Sequence, residues 1–216
     1  MFFAEKKFAN DIFEGRLTLI HQNVLELPSQ QAWLHDNTYK VVSNLPYYIA
    51  TRIILQLLRD RFCQSFLVMT QKEVAEKFCA KSMMREFGAL SVLIESFGEA
   101  KILFDVPKTA FSPMPKVTSS VWIMQKSTHL EWEQNFSLME LEKFLKLAFS
   151  APRKKLFKTL CAHFDANTLR ESFEIASVST DLRAHEVKTK SFHLILKFLI
   201  ERKNNNGRTK QLDTNQ

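Results

Sequence analysis

Along the first half of the chain, short runs rich in β-branched and apolar residues alternate with longer stretches whose apolar residues recur at helical spacing. Leu17–His21, Tyr39–Ser43, Ser65–Thr70, Ala100–Phe104 and Val117–Met124 read as strands, the last alternating like a half-exposed antiparallel edge. Residues 4–13, Ile49–Leu58, Gln71–Ala80 and Phe87–Phe97 read as helices, and Gly15 stops the first of them. Beyond residue 124 the strand pattern ends. Leu138–Phe149, Arg153–Ala162, Thr168–Ile175 and Lys188–Ile200 are amphipathic helix candidates joined by short connections. Strands alternating with helices and then helices alone predict an α/β domain over residues 1–126 and a small all-α domain over 127–203. Residues 204–216 are polar and expected to be disordered.

Composition narrows the partners. The 216 residues carry a formal charge of +7 and 45% apolar content, enough for a packed core and a bias towards anionic ligands. No run of 18 apolar residues offers a membrane span, and the opening Met-Phe-Phe-Ala-Glu-Lys-Lys lacks the apolar centre of a signal peptide. A cytoplasmic protein without membrane association is expected. Cys63, Cys79 and Cys161 are widely spaced and form no CxxC pair, so neither a disulfide framework nor a metal site is predicted. Lys143, Lys146, Arg153, Lys154, Lys155 and Lys158 lie in a stretch with no acid, which would suit phosphates. A solvated helix face accounts for such a run equally well.

The stretch with the most chemistry is Ser43-Asn-Leu-Pro-Tyr-Tyr48, placed at the carboxyl end of a predicted strand, where open α/β sheets bind ligands. It presents an amide, main-chain carbonyls beside a proline, and an aromatic ring. The amino nitrogen of adenine is a poor nucleophile, because its lone pair is delocalised into the ring. Asn44 can accept one amino hydrogen through its side-chain oxygen. A carbonyl next to Pro46, where φ is fixed and a competing donor is missing, can accept the other. Tyr47 would stack on the base. Further on, the prolines of Phe111-Ser-Pro-Met-Pro-Lys-Val117 stiffen a loop that carries one aromatic ring and the lysine Lys116.

Together with Met69-Thr-Gln-Lys-Glu-Val-Ala75, Phe87-Gly-Ala-Leu-Ser-Val92 and Arg153-Lys-Lys-Leu-Phe-Lys158, these motifs resemble the KsgA-type ribosomal RNA small-subunit adenine dimethyltransferases. The resemblance runs from about residue 17 to about residue 200. It implies a Rossmann-like methyltransferase fold, S-adenosylmethionine as cofactor, and small-subunit ribosomal RNA in a 30S precursor particle as partner, with the protein a monomer. It assigns Asn44, Leu45, Pro46 and Tyr47 to catalysis, with Asn44 also bordering the cofactor. Tyr47 and Phe111 would clamp a flipped base, while Lys116, Arg153, Lys154, Lys155 and Lys158 would hold RNA.

Two departures from the family pattern stand out. Asn23 occupies the place of an aspartate that accepts a bond from the cofactor's adenine, and a neutral acceptor there is weaker than a charged one. The family's glycine-rich loop and ribose-binding acid have no counterpart, since the four glycines are isolated at 15, 88, 98 and 207. An incomplete cofactor domain is therefore expected, with weak S-adenosylmethionine binding and a gap beside the strand at Tyr39 that leaves backbone groups unpaired. Three functions remain open: dimethylation of small-subunit RNA, RNA binding without catalysis in ribosome assembly, and adenine-N6 methylation of DNA.

Overall fold

The computed structural model describes residues 2–27 and 33–213. Two short helices, α1 (Phe2–Lys7) and α2 (Ala9–Phe13), lead through a 3-10 turn at Val24–Glu26 to strand β1 (Tyr39–Asn44). There follow α3 (Ala50–Arg59), β2 (Cys63–Gln71), α4 (Lys72–Cys79), α5 (Ala89–Phe97), β3 (Gly98–Val106) and β4 (Ser119–Lys126). Helices α6 (Leu138–Ala148), α7 (Leu156–Leu160), α8 (Ala166–Ile175) and α9 (Thr189–Asp213) complete the chain. The four strands form one sheet in the order β1-β2-β4-β3, in which β1 runs parallel to β2 and the other pairs are antiparallel. This is an α/β sheet with a helical carboxyl-terminal part, as the pattern predicts.

The start of β1 is fixed by a buried carboxylate. Asp60, just past α3, accepts from the Trp33 and Phe62 amides at 2.9 Å each and from the Tyr39 hydroxyl. Burial opposes ionisation of Asp60, but these donors together hold its carboxyl below the usual range. Burial, with the bond to Asp60 second, pushes the Tyr39 phenol far above its ordinary value. Lys126 caps this same carboxyl end of α3, where its ammonium donates to the carbonyls of Leu58 at 2.8 Å and Asp60 at 2.7 Å. Desolvation lowers its pKa.

The sheet's core is aromatic. Trp122 of β4 stacks on Phe78 of α4 at 5.4 Å, meets Phe66 of β2 edge-on at 5.6 Å, and donates its indole N–H to the buried Thr70 hydroxyl at 3.1 Å. At the turn from α5 into β3, a Cβ on Gly98 would stand 2.1 Å from the Gln125 carbonyl, so the approach of β4 requires glycine there. The connection to the helical part is packed as well: Trp132 is buried and donates to the Ser96 carbonyl at 2.7 Å. Ser137 starts α6 with a reciprocal cap, in which Glu140 accepts from the Ser137 amide at 2.8 Å. Among the described residues no helix is long and apolar enough to cross a membrane, and no cluster of ligands could hold a metal.

Four sequence expectations are corrected. Leu17–His21 is not a strand, because no described strand lies beside it to complete a ladder. The outer edge of β1 pairs with no described strand either, and Val42 on it is 79% exposed. Strand β4 is central rather than an edge. Its polar residues Ser119 and Ser120 have the pattern of an exposed edge, yet both are fully buried with their hydroxyls bonded inside the protein. Residues 153–155 precede α7 rather than belong to it: Lys155 bridges to Arg183, and the Leu156 amide bonds to the Leu182 carbonyl. Helix α9 continues to Asp213, through residues 204–213 of the expected tail; residues 214–216 lie outside the described residues.

Candidate active site

The Asn44-Leu-Pro-Tyr47 segment leaves the sheet at the carboxyl end of β1, opposite Met69 of β2. Parallel pairing aims this end of both strands the same way, and the Leu45 amide extends the ladder by donating to the Met69 carbonyl at 3.2 Å. Pro46 cannot donate and turns the chain into α3, where its carbonyl accepts from the Ile49 amide at 3.1 Å. The Leu45 side chain is buried and anchors the turn, while Asn44 is exposed.

A cleft of about 350 Å³ opens here, lined by Asn44, Leu45, Pro46 and Tyr47 on one wall and by Phe111, Pro113 and Pro115 on the other. The second wall is the loop between β3 and β4, which returns to the sheet at Ser119. Segments more than sixty residues apart in the sequence thus line one cleft. A planar heterocycle fits within that volume.

The two main-chain acceptors predicted at Leu45 and Pro46 are not equivalent. The Pro46 carbonyl is engaged by Ile49, whereas the Leu45 carbonyl and the Asn44 carboxamide bond to no described group. Asn44 and Leu45 therefore form the free acceptor pair. The Tyr47 ring is half-buried, with its hydroxyl 2.6 Å from the Ser119 hydroxyl; Tyr48 beside it points into solvent.

Other predicted site residues lie elsewhere. Lys116 is exposed and does not line the cleft. Arg153, Lys154 and Lys158 are exposed in and before α7 and form no ion pair with a described residue, but Lys155 pairs with Asp181. Asn23 caps the 3-10 turn: its oxygen accepts from the Leu25 amide at 3.2 Å and its amide donates to Glu26 at 2.7 Å. The oxygen keeps a second lone pair for a ligand.

Sequence reasoning missed the polar ties behind the cleft. Asp105 near the end of β3 accepts from the Ser120 hydroxyl at 2.7 Å and from the Lys72 ammonium at 2.6 Å. The bond from Lys72, aided by Ser120, holds the Asp105 carboxyl below its ordinary range, and Asp105 raises the Lys72 pKa in turn. The consecutive Thr118-Ser119-Ser120 after the proline loop was the available signal, and it reads equally well as a polar edge.

The family model for ribosomal RNA adenine dimethylases matches residues 3–201. The chain belongs to that family. The small-subunit methyltransferase A of Helicobacter hepaticus is 61% identical over 211 residues, covering 98% of this chain and 75% of that protein. Its counterpart in Aliarcobacter butzleri is 44% identical over 186 residues, covering 86% of this chain and 68% of that protein. Among solved structures, a dimethyladenosine transferase from Plasmodium falciparum superposes with a TM-score of 0.68 at 19% identity, covering 92% of this chain and 77% of that one. At that identity the likeness supports the fold alone, and the membership rests on the sequence relatives.

Proposed function

We propose that this protein dimethylates adenine N6 in small-subunit ribosomal RNA with S-adenosylmethionine as methyl donor. The observation that carries the reading is the free acceptor pair of Asn44 and Leu45 in a cleft walled by Tyr47 and Phe111. An unpaired adenine fits between the two rings with its amino group towards the acceptor pair. The Asn44 oxygen and the Leu45 carbonyl then take one amino hydrogen each, which localises the nitrogen lone pair and holds it in line for attack. No general base is needed at the moment of attack, because the nitrogen's own proton leaves after the bond has formed. Tyr47 and Phe111 supply stacking and exclude water from the faces of the base.

The residues present fit the cofactor's reacting end only, since the glycine-rich loop and the ribose-binding acid have no counterpart in the sequence, and weak cofactor binding follows. Asn44 is exposed at the carboxyl end of β1 with an unengaged amide, and away from that end Asn23 keeps an acceptor lone pair for the cofactor's adenine. When bound, S-adenosylmethionine supplies a methyl group on a positively charged sulfur, a good leaving group. Arg153, Lys154 and Lys158 hold the RNA backbone from the helical part, which we assign to residues 127–203 as an RNA-binding domain beside a methyltransferase domain of residues 1–126. Lys116 and Lys155 contribute less, the first by its distance from the cleft lining and the second through its pairing with Asp181.

The test is transfer of labelled methyl groups to 30S particles that lack dimethyladenosine, with naked duplex DNA as the competing substrate. Wild-type protein should label the RNA alone, and Asn44→Ala should reduce labelling at least about a hundredfold, the scale for losing one transition-state hydrogen-bond partner, while RNA affinity stays within twofold or so. RNA binding without labelling by the wild type would replace this reading with a non-catalytic assembly factor. Labelling of DNA would move the substrate class.

A further inference from the structure

The two walls of the base cleft belong to distant segments, and one buried hydroxyl joins them. Ser119 is fully buried where the proline loop re-enters the sheet, and its side chain bonds to the Tyr47 hydroxyl at 2.6 Å. The ladder places Ser119 opposite Gln71 of β2 on one side and Val106 of β3 on the other. Next to it, Ser120 donates to Asp105 at 2.7 Å, which ties the outgoing end of the loop to its incoming end. Lys72 then binds the outside of Asp105 at 2.6 Å, and the Lys72 amide donates to the Thr118 carbonyl at 3.0 Å. The loop carrying Phe111 is thus clamped at its base by β3, β4 and the first residue of α4. The one side-chain bond from that clamp to the opposite wall, among the described residues, is the bond to Tyr47.

We infer that Ser119 is a positioning residue for the base cleft, one that acts through the Tyr47 hydroxyl to fix the ring at stacking distance from Phe111 before RNA arrives. The physical argument is pre-organisation. A tyrosine on a turn between a strand and a helix can swing about χ1 and χ2, and stacking must then offset the lost rotamer freedom. Bonding the phenol to a hydroxyl held in the sheet's core removes that freedom beforehand. It also commits the hydroxyl to Ser119, so the face of the ring and not its polar edge is presented to the base. A phenylalanine at position 47 would bury the same ring area without the anchor.

The inference rests on the reading of the cleft as a base slot, and the test separates the two. The probe is an unpaired RNA oligonucleotide carrying 2-aminopurine, whose fluorescence is quenched on stacking. Quenching and affinity are measured for wild type, Tyr47→Phe, Ser119→Ala and the double variant, with urea midpoints alongside. Each single substitution should weaken binding and quenching about fivefold, the scale of one net hydrogen bond, and the double variant should be no worse than either single one. A role of Ser119 in stability alone would lower the midpoint with both affinity and quenching unchanged, and that result overturns the inference. So would additive losses, because Ser119 would then act independently of the Tyr47 hydroxyl. If wild-type protein fails to quench the probe while still binding the oligonucleotide, the base-slot reading falls and the inference with it.

Discussion

The helical part from α6 to α9 and the leading segment of residues 2–27 have similar apolar patterns but opposite fates. In the first, Leu141, Leu145, Leu156, Leu160, Leu169, Phe192 and Ile195 are all fully buried, and Phe192 packs against Phe149 at 5.5 Å and Phe144 at 6.4 Å. In the second, helical spacing of Phe8, Ile12 and Phe13 predicts an amphipathic helix, yet Phe13 is 92% exposed and Ile20 is 75% exposed. Periodicity states which residues could share a face. It does not state whether a complementary surface exists for that face, and among the described residues the helical part has one while α2 does not.

The sharpest way to break this comparison is to truncate one phenylalanine in each region. Phe192→Ala should destabilise the protein by about 3 to 5 kcal/mol, since it removes a fully buried ring and leaves a cavity among Phe144 and Phe149. Phe13→Ala should stay within about 0.5 kcal/mol, as for other exposed positions. Urea unfolding measures both, and a comparable loss for Phe13→Ala would show that the leading segment is packed in solution.

A smaller effect should appear as a pH dependence where α9 of the helical part meets α5. His193, beside Phe192 on α9, has its pKa lowered by burial to about 4. The Ser96 hydroxyl spends its hydrogen on the Val92 carbonyl at 2.7 Å, so the imidazole donates from Nε2 to Ser96, also at 2.7 Å, and remains neutral. Because the folded pKa lies below the unfolded one, the unfolded state binds the extra proton between about pH 6.5 and pH 4. Stability is fully present above that window and falls as the pH drops through it, by at most about 3 kcal/mol. His193→Gln keeps a donor for Ser96 and should flatten the dependence. Lys81, Glu95, Glu99, Glu131, Lys190 and Lys197 line the same groove in both proteins, so the difference isolates the imidazole.

The smallest expected effect concerns the basic run. Replacing Arg153, Lys154 and Lys158 with Gln should lower the log-log salt dependence of RNA binding by about one unit per lost phosphate contact. Lys155→Gln should change it by less, because Asp181 already neutralises that ammonium. Equal slopes for all four variants and the wild type would return the run to a solvated surface.

Much of the site was legible because its parts are local. Asn44, Leu45, Pro46 and Tyr47 are consecutive, and both the strand before them and the helix after them have clear periods, so their place at the carboxyl end of a strand could be read directly. Phe111 was legible for a similar reason, through the prolines that stiffen its loop. Ser119, Ser120 and Asp105 were not, because a short hydroxyl at the start of a strand has the same pattern whether it faces water or a buried partner. The choice between the Leu45 and Pro46 carbonyls was hidden too: it depends on where the Ile49 amide points once the chain has turned.

By itself, the sequence determined the order and kind of most elements, the change from α/β to all-helical architecture, and the motif at the cleft, since each follows from residue spacing within a single segment. Tertiary structure alone decided that β4 is central, that Leu17–His21 forms no strand, that Lys155 is paired, and that Tyr47 is tethered to the far wall. Those outcomes depend on what lies opposite a residue across the sheet or across a helix. Such partners stand tens of residues away in the chain, and no local pattern encodes their distance.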